Sequence, residues 1–264
     1  ATTNQLLNDN EDVRLVRTTS EYNTERNTGH LAHQRAGRVA GRNLSVSNTT
    51  ETIWGGADQG GALVYTFPTT ARTLRVKAGG NANDTAAGSG TRSVTIYGLN
   101  ASFVEISETV ATNGASASSP TTLLFYRVNK VVCNGGANVG NIIIESTTDL
   151  LELAYCVAGS GQSKQSIFTV PFGKSLYVTN IKISVSRNNS ADIRLFEKGN
   201  ISLPSTKRIE WSVSDFVGAE VIKFDTFLKF LEKTDLIMDG KKISGSGTAA
   251  VHADFEYFTV LNPL

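Results

Sequence analysis

The chain is short of several things. In 264 residues there are one methionine, five prolines, two cysteines, two tryptophans and three histidines, and the formal net charge is only +1. No run approaches the ~18 apolar residues of a membrane helix, so no membrane partner is expected. The near-zero charge gives no field that would collect nucleic acid. Cys133 and Cys156 stand far apart, outside any Cys-x-x-Cys pair and with no histidine at metal spacing. They read as two buried thiols or, failing that, a single bridge. The first ten residues, ATTNQLLNDN, lack the charged and apolar regions of a signal peptide, so synthesis in a cytoplasm is expected.

Catalytic patterns are missing too. The run Gly173-Lys174-Ser175 supplies the end of a phosphate-binding GxxxxGK[ST] motif, but the first glycine would have to stand at Phe168 and a strand follows where a helix is needed. GSGTRS and GSGQSK are likewise not placed between a strand and a helix. There is no G-x-S-x-G elbow for a nucleophile. His30 and His33 lack an acidic or cysteine partner, and Asp84 with Asn81 and Asn83 offers one carboxylate where a calcium loop offers several. No enzyme activity, cofactor or metal is therefore expected.

What is present is glycine, 24 residues of it, with abundant serine, threonine and asparagine: a turn-rich composition suited to many short strands. The stretch NANDTAAGSGTRSVTIYGLN, residues 81–100, shows the pattern in miniature. Its glycines read as turn residues, and Val94 and Ile96 then alternate with Ser93, Thr95 and Tyr97 as in a half-buried strand. SFVEISETV, TLLFYRVNKVVC and VGNIIIES continue in the same style, as do ADIRLFEK, KRIEWSV, AEVIKF, TDLIMDG and HADFEYFTV. Trp211, alternating with Ile209 and Val213, is expected in the core. In KSLYVTNIKISVSR the apolar phase slips between Val178 and Ile181, which predicts a bulge near Thr179–Asn180. KFDTFLKFLEK, residues 223–233, fits either a helical face or a strand, and its strand neighbours favour strand. YTFPTTARTLRV and FTVPFGKSLYV echo each other weakly, as a tandem repeat would.

Residues 1–55 differ from the rest. From Arg26 to Thr50 there are four arginines and no acidic residue, and the apolar stripe is thin. This segment reads as an arm that needs a partner surface, with Arg26, Arg35, Arg38, Arg42 and Trp54 as candidate partner-binding residues. The fold expected is all-β: two antiparallel, jelly-roll-like β-sandwich domains, 56–155 and 156–264, preceded by the extended arm 1–55.

Several motifs resemble a virion-protein family common in tailed bacteriophages, marine ones especially. They are NANDTAAGSG against a family ANDTAAGTG loop, GLN against GLD, AGSGQ against AGNGQ, FTVPFGK against YTVPAGK, and EKTDL against EKTDI. HLAHQRAGRVAGRN is similar to a family GQIAG segment. Ser89, Asn100, Ser160 and Phe172 depart from the pattern, which touches loop contacts rather than fold. The resemblance implies a structural protein of the virion, assembled in the host cytoplasm, with other virion proteins and its own copies as partners. A capsid decoration or cement subunit docking through the arm is the first expectation, and a tail or head–tail component such as a fibre adaptor the alternative. A glycan- or receptor-binding module is the alternative of another class, for which Tyr126, Tyr177 and Tyr257 are the aromatic candidates.

Overall fold

The computed structural model describes residues 34–200 and 203–262. Among these, fifteen strands and one short 3-10 turn make an all-β molecule. Two strands open it, β1 (Gln34–Val46) and β2 (Glu51–Thr52). Six follow with a common core: β3 (Leu74–Val76), β4 (Ser93–Leu99), β5 (Glu105–Ala111), β6 (Arg127–Asn134), β7 (Ile142–Ser146) and β8 (Glu152–Cys156). The rest are β9 (Ile167–Thr169), β10 (Lys174–Val185), β11 (Ser190–Asn200), β12 (Leu203–Phe216), β13 (Ala219–Phe230), β14 (Asp235–Ser244) and β15 (Ala249–Leu261).

Pairing defines the larger body. Set aside β3 to β9, and eight strands remain. The first pairs with the last (β1 with β15), the second with the seventh (β2 with β14), the third with the sixth (β10 with β13) and the fourth with the fifth (β11 with β12), all antiparallel. A long hairpin rolled over on itself gives this order, which is that of a jelly roll. Its sheets, β1-β15-β10-β13 and β12-β11-β14-β2, enclose one core that includes Val39, Val46, Leu176, Ile181, Leu195, Met238 and Phe255. The strand β9 extends the second sheet along β14.

The smaller body is inserted between the second and third strands of the roll. Its two three-stranded sheets, β3-β7-β8 and β5-β4-β6, face each other across Leu74, Ile144 and Leu153 on one side and Val94, Ile96 and Val131 on the other. The alternation read in VTIYGL is the observed one: Val94 and Ile96 are buried while Tyr97 is exposed. The two bodies follow different plans, so the weak echo between YTFPTTARTLRV and FTVPFGKSLYV does not correspond to a structural repeat.

Three local readings can be checked against register. The slip in β10 falls between Val178 and Asn180 against both neighbours. Residues 219–230, which include most of the ambiguous segment, form a strand, and Phe230 reaches the core. Trp211 and Val213 do pack on the core, but Ile209 is 54% exposed. A register shift between Leu195 and Phe196 puts Ile209 on the opposite face from the one that strict alternation assigns.

The arm reading needs correction. Residues 34–46, placed in it, are a strand of the roll, paired with β15 along nearly their whole length. Val39 and Val46 lie in the core, and Asn43 is fully buried with its amide donating to Glu51 Oε2 at 3.0 Å. Removing residues 1–50 takes away a core strand and should abolish the cooperative thermal transition. A deletion of 1–50 that melts like the full chain would contradict this placement.

Candidate assembly surface

The predicted partner-binding residues do not converge on one surface. Arg26 lies outside the described residues. Arg35 is exposed on β1, opposite Thr259. Arg38 is ion-paired to Asp254 on the neighbouring strand β15, and that bond raises its pKa further above the ordinary arginine value. Arg42 is half-buried, 3.2 Å from the carboxylate of Asp58. The separation suits an ion pair, yet neither Asp58 oxygen accepts a hydrogen bond, and burial pushes the Asp58 pKa up despite the arginine.

Trp54 is corrected outright. It is 0% exposed, donates from Nε1 to the Ala62 carbonyl at 2.9 Å, and meets Tyr65 and Tyr155 edge-on at 5.2 and 5.5 Å. A buried indole with its one donor satisfied is a core residue of the inserted body, and no partner can reach it.

The glycine-rich loop resolves as architecture. Asp84 is fully buried, and its carboxylate accepts the backbone N–H groups of Thr91 and Val139 on Oδ1, both at 2.9 Å, and of Gly140 on Oδ2 at 2.8 Å. A Cβ at Gly90 would collide with that same Oδ1, so the glycine is there to let the carboxylate in. Among the described residues no cluster of three or more metal-binding side chains occurs. Gly173 sits in the turn before β10, with no helix after it. Cys133 and Cys156 are free thiols, and their mutual interaction lowers the pKa of Cys133 and raises that of Cys156.

The two bodies are clamped by a buried ion pair. Arg127 on β6 donates from Nε and one terminal nitrogen to the two oxygens of Asp235 on β14, at 2.8 and 2.9 Å, and from its other terminal nitrogen to the carbonyls of Pro68 and Tyr126, both at 2.9 Å. Thr169 adds a hydrogen bond to Asp235 at 2.6 Å. The Tyr126 and Phe67 rings stack on the guanidinium at 4.1 and 4.9 Å.

The surface best suited to a partner is one that sequence reasoning did not single out. At one side of the roll each sheet ends in a long strand, β12 in one and β13 in the other. Trp211, Val213, Phe216, Ile222, Phe224 and Leu228 point from these strands toward the core but are only partly buried. Val217, at the turn between the two strands, is 62% exposed and continues this row, whereas Val221 and Phe227 alternate onto the outer face of β13. Edge strands carry unpaired backbone groups, and a mixed rim around a contiguous apolar strip marks an interaction site. The available signal was the mixed polar and apolar text of AEVIKFDTFLKF, which suits a strand but says nothing about which edge it occupies.

The three tyrosines considered for glycan binding are dispersed. Tyr126 packs on Phe103 and Arg127, Tyr177 stacks on Phe258 at 5.0 Å, and Tyr257 leans on Phe168.

No protein-family profile matches the chain, and no curated protein does. Among solved structures, matches include infectious bursal disease virus of the Gx strain (TM-score 0.26, 7% identity, covering 87% of this chain and 71% of that one). The Gt strain gives 0.24, 11%, 86% and 72%. The VP2 subviral particle of the same virus gives 0.24, 10%, 88% and 72%. Superpositions this loose do not establish a shared fold.

Proposed function

We propose that this chain is a structural subunit of a virion, and not an enzyme, which joins its neighbours through the open side of the roll between β12 and β13. The observation that carries the reading is the row of core-facing apolar side chains left half-covered there. A monomer gains by burying such a row, at roughly 25 cal/mol per Å², and a neighbouring subunit is the means. Jelly rolls serve viral capsids among other roles, and the motifs shared with tailed-phage virion proteins point the same way. Within the virion we favour a capsid decoration or cement subunit over a tail or head–tail component.

The fold alone does not decide this, so the surface is the thing to test. Val217→Lys with Ile222→Lys is expected to lower the melting temperature only modestly, since Val217 is 62% exposed and Ile222 is only partly buried, and to abolish self-association in sedimentation velocity and incorporation into particles. Normal assembly by the double variant would refute the surface. Densitometry of purified virions separates the two locations: hundreds of copies support decoration, about a dozen a tail part.

A further inference from the structure

The free edge of β13 runs along the open side of the roll, and its chemistry is close to palindromic. Residues 221–227 read Val-Ile-Lys-Phe-Asp-Thr-Phe. Val221, Lys223, Asp225 and Phe227 alternate onto the outer face and are exposed, whereas Ile222 and Phe224 turn toward the core and are only partly buried.

This stretch is short of partners in its own protomer. β10 pairs with residues 219–223 and 228–230 of β13, and the ladder skips from Leu228 to Lys223. β13 is also the last strand of its sheet. Residues 224–227 therefore have no ladder partner on either side among the described residues. An edge with free N–H and C=O groups is a template for another strand. The charges are free as well. Lys223 and Asp225 belong to none of the ion pairs among the described residues, whereas Lys182 on the neighbouring strand is held by Glu256.

A two-fold axis supplies what is missing. Where two copies of one strand meet antiparallel about such an axis, residues equally far from it on either side stand opposite each other, and opposite side chains share a face. With the axis at Phe224, Lys223 of each copy stands opposite Asp225 of the other, and Val221 of each stands opposite Phe227 of the other. Phe224 meets its own equivalent, beside the half-covered row. With the axis one residue away, at Lys223 or at Asp225, that residue would face its own like charge. Charge therefore selects one register.

We propose, resting on the assembly surface assigned above, that its occupant is a second copy of this chain, docked edge to edge along β13 about a two-fold axis at Phe224. The two four-stranded sheets then meet as one, and the partly buried Ile222 and Phe224 of each copy lie against those of the other.

Sedimentation velocity on charge variants of the full chain tests the register. Lys223→Asp and Asp225→Lys each set like charges face to face, and each is expected to weaken self-association about ten-fold. An equimolar mixture of the two single variants makes every facing pair opposite again, and is expected to associate as tightly as the wild type. Both side chains are exposed, so the melting temperature should stay unchanged. A wild type that remains monomeric, single variants that associate like the wild type, or a mixture no tighter than its components would overturn the proposal. Incorporation into particles keeps the two readings apart. If Val217→Lys with Ile222→Lys blocks incorporation while both charge variants self-associate and incorporate normally, the open side receives another virion protein: the assembly surface stands and the second copy is excluded.

Discussion

Replacing Arg127 by alanine is expected to destabilise the protein by about 3–5 kcal/mol, the usual cost of stranding one member of a buried ion pair. The pair is enclosed, with side chains 8% and 6% exposed, so Asp235 would be left charged without a counter-ion or enough water. The loss would also free the Pro68 and Tyr126 carbonyls and empty the space between the Phe67 and Tyr126 rings. The informative control is Arg127→Met with Asp235→Leu. Apolar replacement of both partners is often neutral or better, so the double variant should recover most of the loss in urea unfolding. If Arg127→Ala costs less than about 1 kcal/mol, the clamp is not holding the bodies together.

The second large effect is expected at Asp84. Alanine there leaves three buried N–H groups, those of Thr91, Val139 and Gly140, without an acceptor. Each unsatisfied donor costs ~1–3 kcal/mol, and partial relaxation keeps the total to about 3 kcal/mol or a little more. Asparagine is expected to recover part of this. Its single oxygen can serve Thr91 and Val139, but its NH2 would then face the Gly140 N–H, donor against donor. Chemical denaturation should place the wild type first, Asp84→Asn second and Asp84→Ala last in stability. Equal stability of the alanine variant and the wild type would mean that water reaches these amides, contrary to the 0% exposure of Asp84.

These two sites show what local text reveals. The bulge in β10 and the alternation of β4 were legible because each is written in a few neighbouring residues. The satisfied carboxylate of Asp84 was half legible: the stretch reads as a turn, but the partners at 139–140 lie more than fifty residues away. Strand β1 was missed because it does not look like a strand. Its inward positions include Gly41, which is small, and Asn43, which is polar but satisfied by Glu51. Hydrophobic periodicity is therefore faint where the strand is well buried. The misreading of Trp54 followed from placing its neighbours in an arm. The open side between β12 and β13 is a product of tertiary pairing, and no spacing along the chain encodes it.

The position of β1 has a consequence for how the molecule is made. Its partner is the last strand of the roll, and Arg38 meets Asp254 across 216 residues of sequence. At ribosomal rates of ~5–20 residues per second, roughly 10–40 seconds separate the emergence of the two strands. The inserted body can complete its own core during that wait, whereas the roll must close after translation has passed its far side. Until β15 emerges, the core faces of β1 and β10 stay uncovered together with the apolar row, so the unclosed roll is the stage at which nascent chains are most prone to stick to one another.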